Sequence, residues 1–563
     1  MEEKVYIVTL YNHEDLEQFY DEMAANSFRL SMKREMSRNT HYWMTEEQAE
    51  QLRQDPRVWG VAAVDSFVAK PQAIVNNTPY TKSGNFWKDD TIPPGTVSSN
   101  DLQWGHLHCA GTQVQRRKGT WGSGSTNETV FDATTIFNDG KHVDVVIVDD
   151  PVSYDCAEWI SPSTNQTRFV QYQWFNELNS IVNSIDDDGQ TEPTGTITYS
   201  QNSSNAYFHG THVAGTACGR HYGWAREANI YNIATTAAWS SGQKVGAFLI
   251  FDYLRAFHLN KPINPVTGRR NPTISNHSYG GIISMPEQLG EPAPLVFSSL
   301  TYVYYRGVTY SSTTPGPSGW TQAGVEADFG VRFNILEYPS WSAAVSADVQ
   351  DAIKDGVVVI GAAGNDNLLM TIPGDIDYNN FITVTGVGSF YYHRGAWPNS
   401  ADSGSINVGN LSRYDNFRRS SSSMFGPAVT IFAPGELILS SYSNAGLLDS
   451  KYGGAPNYFY PISGTSMASP QVAGVIACLA TGKDRFNQAE VLGFIQKYSI
   501  SGDMTFNTSG GGYTDNTCQK GSPNLYLHIE NPRKLSGHLA EVRGKRSTSG
   551  MTFPRVNTYH RPQ

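Results

Sequence analysis

The stretch KHVDVVIVDD, residues 141–150, decides the fold. Its apolar residues form one continuous run, which is typical of a strand buried on both faces of a parallel sheet. Residues 357–365 (VVVIGAAGN) and 381–388 (FITVTGVG) repeat this pattern, and helix-forming stretches cover residues 244–257 and 342–356. Because strands alternate with helices, we predict an α/β domain with a central, mostly parallel sheet flanked by helices.

Two regions precede this domain. Residues 1–65 combine a β-rich run at Val5–Leu10, two helical patterns and a closing strand at Val58–Val64. Thr45 stands before the second helical pattern as an N-cap, with acidic residues in the first turn. This order predicts a small two-layer α+β domain. Residues 66–100 are rich in Pro, Asn, Thr, Ser and Gly, and they predict a linker.

The α/β domain is predicted to span residues 101–501. Two polar, turn-rich insertions interrupt it near residues 155–200 and 285–335. Residues 502–563 show little periodicity and become basic toward the end. This composition fits either an arm that docks on a partner or a disordered tail.

Composition and charge narrow the classes of function. The chain has 563 residues, 39% of them hydrophobic and 17% charged, so it can bury a substantial core. A net charge of −11 argues against nucleic acid as a partner, because phosphate binding needs a basic surface. The acidic, amphipathic N-terminus does not follow a secretory signal pattern, and no apolar run is long enough for a membrane span.

The number and spacing of the cysteines help to predict where the protein is located. The five cysteines form no C-x-x-C pair, so we expect neither a zinc site nor a disulfide framework. Together with the missing signal pattern, this leads us to expect an intracellular or particle-associated protein, a virion included.

Ser466 is the first candidate catalytic residue. It lies in SGTSMASPQVAGVIACLA, residues 463–480, where a glycine-bearing turn opens an apolar helix. The unpaired N–H groups and positive dipole at a helix N-terminus stabilise negative charge that develops beside a nucleophile. Pro470 is expected in the first turn, where its missing donor costs nothing. Taken alone, a serine at this place is more often a helix cap.

His209 and Asp149 are the matching candidates. His209 lies in FHGTHVAGTACG at a second turn that leads into a helix, and His212 on the same segment is expected to be structural. The two histidines also resemble half of a metal site, but no matching carboxylate pattern follows them. Asp149 ends the first buried strand, where α/β sheets place their chemistry. We prefer it to Asp150 because it directly follows the apolar run.

These segments, in the order Asp, His, Ser, resemble the subtilisin family of serine proteases. The resemblance implies a subtilisin-like fold and a serine endopeptidase that forms an acyl-enzyme, with Asp149, His209 and Ser466 as its triad. The matching segments are HGTHVAGT (209–216), GTSMASPQVAG (464–474), NHSYGG (276–281), GAAGND (361–366) and FAPGELILS (432–440).

The resemblance extends to the binding of substrate and of developing charge. It implies that the side chain of Asn365 and the backbone N–H of Ser466 hold the oxyanion. It also implies that an extended polypeptide substrate pairs with backbone at Ser278, Tyr279, Gly280, Ala362, Ala363 and Gly364. By loose register, Thr371 falls near the floor of the main specificity pocket, which would disfavour bulky aromatic residues before the cut.

The first domain resembles the inhibitory propeptide of the same family, through YIVTL near its start and EEQAEQLRQDPRVWGVAAV near its end. This implies a self-processing zymogen whose N-terminal domain is its own inhibitor, with the cut somewhere in residues 66–104. No cofactor is implied. The calcium loop of the bacterial members has no room after the His209 segment, and IDDDG (185–189) is expected to be a solvated loop.

One departure from the family pattern leaves an alternative open. Asp150 and Pro151 follow Asp149 where the family usually has Ser or Thr and then Gly, so the local turn must differ. The alternative is a catalytically inactive relative that serves as a structural or binding component of a larger assembly, such as a virus or phage particle. The basic tail within residues 502–563 would then dock on that assembly.

Overall fold

The computed structural model describes most of the two folded regions of the chain. The residues described are 3–64, 69–71, 74–75, 103–110, 136, 138–184, 193–201, 208–285, 287–288, 291–292, 294–413, 418–442, 453–454, 457–481, 486–504 and 520–529. The acidic loop 185–189, Cys518 and the last part of the predicted tail, from residue 530, lie outside them.

The N-terminal region forms a four-stranded antiparallel sheet covered by two helices. Its elements are β1 (Lys4–Leu10), α1 (Leu16–Ala25), β2 (Arg29–Met32), β3 (Asn39–Met44), α2 (Glu46–Leu52) and β4 (Val58–Ala63), with strand order β2-β3-β1-β4. Thr45 caps α2 in a capping box with Gln48, as predicted. An apolar cluster that includes Val8, Phe19 and Tyr42 forms its core.

The remaining helices belong to the α/β region. They are α3 (Trp104–Ala110), α4 (Trp174–Val182), α5 (His209–Cys218), α6 (Ile250–Asn260), α7 (Gln322–Phe329), α8 (Ala343–Asp355), α9 (Thr465–Ala480) and α10 (Gln488–Tyr498). Helix α8 is bounded as its sequence predicts. The Ser342 side chain accepts a hydrogen bond from the Val345 N–H, and Gly356 ends the helix in the left-handed conformation with φ of 107°.

The strands after the N-terminal sheet complete the fold. They are β5 (Ala69–Pro71), β6 (Ile74–Val75), β7 (Asp144–Asp149), β8 (Asn229–Ala234), β9 (Thr273–His277), β10 (Tyr279–Ser284), β11 (Glu287–Gln288), β12 (Glu291–Pro292), β13 (Leu300–Tyr305), β14 (Val308–Tyr310), β15 (Glu337–Pro339), β16 (Val358–Ala362), β17 (Phe381–Val384), β18 (Gly388–Tyr391), β19 (Ile406–Leu411), β20 (Ile431–Pro434), β21 (Ile438–Tyr442), β22 (Gly453–Gly454), β23 (Asn457–Ser463), β24 (Ile500–Ser501) and β25 (Leu525–Tyr526).

The central sheet of the described residues has the order β24-β25-β20-β19-β16-β9-β7-β8, and all its pairs are parallel except β24 with β25. Every residue of β7, β9 and β16 is buried, as expected for strands covered on both faces. The predicted α/β architecture is therefore confirmed.

Two expectations drawn from the sequence are wrong. The run at 381–388 does not join the central sheet, because β17 pairs antiparallel with β13 and β18 in a separate sheet. The domain boundary at residue 501 is also misplaced. Strand β25 pairs with β20, and the Leu527 N–H donates to the Phe432 carbonyl at 2.8 Å, so residues 525–529 are part of the α/β domain.

A buried ion-pair cluster joins the N-terminal domain to helices α6 and α8. The Arg34 side chain is fully buried, and its guanidinium contacts Asp252 at 2.8 Å and Asp348 at 3.1 Å. Ser37 and Asn39 also donate hydrogen bonds to the Asp348 carboxylate. The two carboxylates are themselves almost fully buried, so solvent does not stabilise their charge. Their stabilisation therefore depends on the positive charge of Arg34.

Further charged contacts surround the cluster. Arg38 bonds Asp351 at 3.1 Å, and Arg255 bonds Asp355 at 2.7 Å while also donating to the Met36 carbonyl. The loop between β2 and β3 is thus held on the same two helices by several charge-assisted hydrogen bonds.

Two further findings concern membranes and cysteines. Among the described residues, no helix has the length and apolar character needed to cross a bilayer. Cys109, Cys156, Cys218 and Cys478 are buried.

Replacing Arg34 with methionine in a Ser466→Ala chain should lower the free energy of unfolding by about 3–5 kcal/mol, because Asp252 and Asp348 would stay buried without a counter-charge. Urea denaturation followed by tryptophan fluorescence measures this loss. Arg53→Met is the matched control, since the carboxylates that pair with Arg53, those of Glu46 and Glu50, are exposed, and its loss should stay below about 1 kcal/mol. Equal losses in the two variants would contradict a dominant role for the cluster.

Candidate active site

The candidate residues meet where three central strands end. Strands β7, β9 and β16 are adjacent and parallel, so their carboxyl ends lie at one edge of the sheet. Helices α5 and α9, which carry His209 and Ser466 near their N-termini, pack against each other beside this edge. The fold thus brings together residues that lie far apart in sequence.

Asp149, and not Asp150, contacts His209. The His209 Nδ1–H donates to Asp149 Oδ1 at 2.6 Å, and the side chains are only 2% and 0% exposed. Asp149 Oδ1 also accepts a hydrogen bond from the Asp150 N–H at 2.7 Å. The Asp150 carboxylate instead accepts a hydrogen bond from the Thr236 hydroxyl.

The buried ion pair sets the electrostatics of His209. Burial by itself lowers the pKa of the imidazole, but the charge of Asp149 and its hydrogen bond outweigh burial, so the pKa of His209 is raised above its usual 6.5. The cationic form of the ring is therefore stabilised at this position.

The unusual Asp150–Pro151 step is accommodated by hydrogen bonds from neighbouring side chains. The Asn232 amide donates to the Asp150 carbonyl at 3.2 Å and accepts a hydrogen bond from the Val152 N–H at 3.2 Å. Gly210 allows the close approach, because a Cβ there would lie 2.3 Å from the Asp150 carbonyl oxygen. The turn differs from the family pattern without moving Asp149 away from His209.

His212 has a structural environment. Its Nε2 lies 2.8 Å from the Ile438 carbonyl and 3.0 Å from the Tyr460 carbonyl, and burial lowers the pKa of His212 to about 3. A neutral, buried ring that bonds two backbone carbonyls ties helix α5 to strands β21 and β23. This environment agrees with the structural role expected from the sequence.

Ser466 is the second residue of helix α9 and is fully buried. Its hydroxyl donates to the Ser278 carbonyl at 3.0 Å. His209 Nε2 has no hydrogen-bond partner among the described residues. The structure thus joins Asp149 directly to His209, whereas the Ser466 hydroxyl is bonded to the segment between β9 and β10.

Pro470 does not lie in the first turn of α9, as expected from the sequence; it is the sixth residue of the helix. At this position its missing N–H removes the helical hydrogen bond to the Ser466 carbonyl, four residues earlier. The Ser278 hydroxyl donates to this carbonyl instead, at 2.9 Å. Pro470 therefore frees the backbone of Ser466 to bond with Ser278.

Asn365 lies beside the start of α9, in the loop that follows β16. Its carbonyl oxygen accepts hydrogen bonds from the Thr465 N–H at 2.9 Å and the Thr465 hydroxyl at 3.1 Å. The Thr465 hydroxyl in turn accepts a hydrogen bond from the Gly364 N–H at 3.2 Å. These contacts fix the orientation of the Asn365 amide next to Ser466.

The other predicted binding residues lie along the same edge. Ala362 ends β16, and the backbone N–H of Ala363 and the carbonyl of Gly364 are bonded to Val408 and Met424. Thr371 is buried, and its N–H donates to the His393 carbonyl at 2.9 Å. Its predicted place on a pocket floor stays a prediction.

The resemblance to a propeptide implies that the tail of the N-terminal domain blocks the cleft, but the sequence did not identify the residues that pair with the predicted substrate strand. Strand β5 of the same chain lies antiparallel to β10, with Pro71 opposite Tyr279 and Lys70 opposite Gly280. Asn399 was missed as well. Its amide donates to the His277 and Tyr279 carbonyls, at 3.0 Å each, and so holds both ends of the segment around Ser278.

Asp149, Asp150 and His209 are also close enough to be considered as metal ligands, with candidate donor atoms within 4.8 Å of one another. However, Asp149 Oδ1 already accepts two hydrogen bonds, and Asp150 Oδ1 accepts one from Thr236. The contacts are those of a hydrogen-bonded Asp–His pair, and the prediction of no metal remains untested.

Comparison with known proteins matches this geometry to a family. The sequence profile of the Subtilase family matches residues 9–517. The chain belongs to the subtilase family. Membership accounts for the predicted subtilisin-like fold and for the Asp, His and Ser segments at one sheet edge.

The similar proteins are distant. Alkaline serine exoprotease A of Vibrio alginolyticus is 24% identical over 297 residues, which cover 53% of this chain and 36% of that protein. Proteinase R of Parengyodontium album is 25% identical over 308 residues, which cover 55% of this chain and 53% of that protein. The chain thus spans between about a third and a half of the length of these relatives.

A solved structure is also among the similar proteins. Fervidolysin from Fervidobacterium pennivorans, a keratinolytic enzyme related to subtilisin, is 18% identical, with a TM-score of 0.47. The match covers 93% of this chain and 60% of that one.

The raised pKa of His209 can be measured by NMR titration of ¹⁵N-histidine-labelled Ser466→Ala chain. We expect the His209 midpoint above 6.5, because the Asp149 carboxylate favours the protonated ring. Asp149→Asn should move the midpoint below 6.5, since burial then outweighs the smaller effect of the Asp150 charge, whereas Asp150→Asn should leave it above 6.5. A midpoint below 6.5 with Asp149 present would contradict the assignment.

Proposed function

We propose that the chain is a serine endopeptidase that hydrolyses peptide bonds through Asp149, His209 and Ser466 and an acyl-enzyme intermediate. The observation that carries the proposal is the buried 2.6 Å hydrogen bond between Asp149 and His209, beside the N-terminus of the helix that begins at Thr465 and bears Ser466. Membership in the subtilase family supports the same chemistry.

His209 is the general base of the proposed mechanism. Because Nδ1–H donates to Asp149, the lone pair of the neutral ring lies on Nε2, the atom without a described partner. In the proposed mechanism the Ser466 hydroxyl leaves the Ser278 carbonyl and donates to this nitrogen instead. Ser466 then attacks the substrate carbonyl, His209 takes the hydroxyl proton and later gives it to the leaving amine, and water hydrolyses the acyl-enzyme.

Developing negative charge is stabilised by groups that are already oriented. Thr465 fixes the Asn365 amide through two hydrogen bonds, so that its NH₂ group is the proposed side-chain donor to the oxyanion. The Ser466 N–H and the positive end of α9 are the second source of stabilisation. Loss of one oxyanion donor typically lowers turnover by about 10²–10³.

The proposed substrate is an extended polypeptide that binds as an added strand. Residues 279–281 of β10 pair with the chain's own residues 69–71 in antiparallel register. Main-chain pairing of this kind accepts many sequences, because its hydrogen bonds do not depend on side chains. This supports an endopeptidase rather than an enzyme for a small molecule.

The N-terminal domain is the proposed inhibitor of the unprocessed chain. It is held on α6 and α8 by the Arg34 cluster, and the segment that follows it in sequence lies on the substrate strand. A new substrate cannot pair with β10 while this segment is in place. We infer that the chain is made as a zymogen and is activated by cleavage of its own linker.

The triad can be tested by kinetics on a chromogenic peptide. Ser466→Ala should reduce hydrolysis to the level of the residual oxyanion and binding effects, and Asp149→Asn should lower kcat by about 10⁴, because the imidazole loses the partner that fixes its tautomer. Asp150→Asn is the matched control and should change kcat less than about tenfold, since its carboxylate bonds Thr236 and not His209.

Two outcomes would contradict the proposed triad. If Asp150→Asn lowered kcat as strongly as Asp149→Asn, the orienting carboxylate would be wrongly assigned. If Ser466→Ala kept full activity, Ser466 would not be the nucleophile.

A further inference from the structure

One buried side chain reaches both ends of the segment between β9 and β10. The Asn399 NH₂ group donates to the His277 carbonyl and to the Tyr279 carbonyl, at 3.0 Å each. Because a carbonyl oxygen only accepts, the NH₂ group and not the amide oxygen must face this segment. Asn399 is only 1% exposed, so water does not compete for the two hydrogen bonds.

The oxygen of the same amide has no such partner. Among the described residues, Asn399 Oδ1 is buried without a hydrogen bond. It faces Gly361 of β16, where a Cβ would lie only 1.7 Å from this oxygen. A buried polar atom without a partner lowers the free energy of unfolding, so an apolar side chain would serve packing better here. The role of the amide therefore lies in the two hydrogen bonds that it donates.

These two hydrogen bonds fix the direction of the backbone as it enters β10. The carbonyls of His277 and Tyr279 both face Asn399. The carbonyl of Ser278, which lies between them, accepts the Ser466 hydroxyl at 3.0 Å. This alternation is that of extended backbone, in which neighbouring carbonyls point to opposite sides. With both outer carbonyls held, the strand cannot rotate about its axis without breaking a buried hydrogen bond.

The loop that carries Asn399 also supports β10 farther along the strand. The Gly281 N–H donates to the Trp397 carbonyl at 2.7 Å, and the Gly281 carbonyl accepts a hydrogen bond from the Ser340 N–H at 2.9 Å. The intervening residue Gly280 lies in the register that pairs with β5. Support on one side of β10 thus leaves the other side for main-chain pairing.

We propose that Asn399 is a positioning residue for peptide hydrolysis, an inference that rests on the proposed function. It does not touch the reacting atoms and acts through the backbone of His277 and Tyr279. By fixing these carbonyls, it orients the edge formed by Tyr279–Gly281, on which an extended polypeptide pairs. Its contribution is therefore large for a peptide that reaches this edge and small for a substrate that is too short to pair with it.

The experiment compares two substrates in the full-length chain. A chromogenic octapeptide can pair with β10, whereas the nitrophenyl ester of a single amino acid cannot. Asn399→Ala should lower kcat/KM by between about tenfold and a hundredfold for the peptide and by less than about threefold for the ester, because only the peptide depends on the displaced edge. Rates are expressed per Ser466 that reacts with a fluorophosphonate probe, so differences in zymogen activation do not enter.

A matched double variant separates the lost hydrogen bonds from lost packing. The three atoms nearest to a Cβ at Gly361 all belong to the Asn399 amide, so an alanine fits at position 361 once this amide is removed. Asn399→Ala/Gly361→Ala refills part of the space without restoring a donor. In a Ser466→Ala background we expect its unfolding temperature to return toward that of the parent, whereas in the active chain kcat/KM for the peptide stays low.

A second control removes a buried amide elsewhere. The Asn407 NH₂ group donates to the Ala428 carbonyl at 3.1 Å and has no hydrogen bond to the segment between β9 and β10. Asn407→Ala should lower the unfolding temperature, but it should leave the ratio of peptide to ester kcat/KM within about twofold of the unaltered chain, because loss of stability alone does not change substrate preference.

Hydrogen exchange tests the geometry without relying on activity. In the Ser466→Ala chain, Asn399→Ala should speed amide exchange in the peptide that contains residues 276–281, and adding Gly361→Ala should not slow it again. Unchanged exchange would overturn the positioning role whatever the activity of the chain.

The failures of the two proposals are distinguishable. Equal losses of peptide and ester activity in Asn399→Ala, or recovery of peptide activity in the double variant, would overturn the positioning role and leave the proposed function intact. An unaltered chain that hydrolyses neither substrate and does not react with the probe would overturn the proposed function and the positioning role together.

Discussion

Main-chain pairing between Ala69–Pro71 and Tyr279–Gly281 connects the N-terminal domain to the site. This pairing uses an edge that a substrate would use, and it needs no particular side chain. A second connection is the Arg34 cluster, which holds the same domain on α6 and α8. Two linked contacts raise each other's effective concentration, so docking through the Arg34 cluster favours the strand pairing. Cutting the linker between them would remove that advantage.

Buried charges have different roles in the Arg34 cluster and in the Asp149–His209 pair. The single Arg34 guanidinium pairs with two carboxylates at a domain interface, where a buried charge without a partner would oppose docking. Asp149 and His209 are equally buried, but their pair raises the pKa of the ring and leaves Nε2 open. Pro470 has a third role, which involves a backbone hydrogen bond and no charge. By removing one helical hydrogen bond, it lets the Ser278 hydroxyl bond the Ser466 carbonyl, and so couples the backbone of the proposed nucleophile to the proposed substrate strand.

The sequence predicted the parts of the molecule that depend on local pattern. The buried run ending at Asp149, the Thr45 cap and the Gly356 stop are local signals, and the structure agrees with them. The run at Phe381–Val384 was assigned to the wrong sheet, because an apolar β-branched run does not specify its neighbours. Leu525–Tyr526 is too short to show a period, yet long-range pairing adds it to the central sheet.

The candidate site likewise has features that the sequence predicted and features that it did not. The segments around His209 and Ser466 carry family motifs, so the sequence alone points to both residues. The choice of Asp149 over Asp150 rested on position in the sequence, and its geometric support is the 2.6 Å hydrogen bond between Asp149 and His209. Strand β5 could not be predicted, because its proline-rich surroundings are typical of a linker and its strand character comes from the edge of β10. The Arg34 cluster joins residues more than 200 positions apart, which no local pattern encodes.

The most direct test of the central claim is intact-mass analysis of the protein after treatment with a fluorophosphonate probe, which reacts with an activated serine. The account predicts one adduct per chain, located on Ser466 and lost in His209→Ala, because the hydroxyl is nucleophilic only when the imidazole takes its proton. An adduct that persists in Ser466→Ala, or no adduct on a chain that has already lost its N-terminal domain, would contradict it.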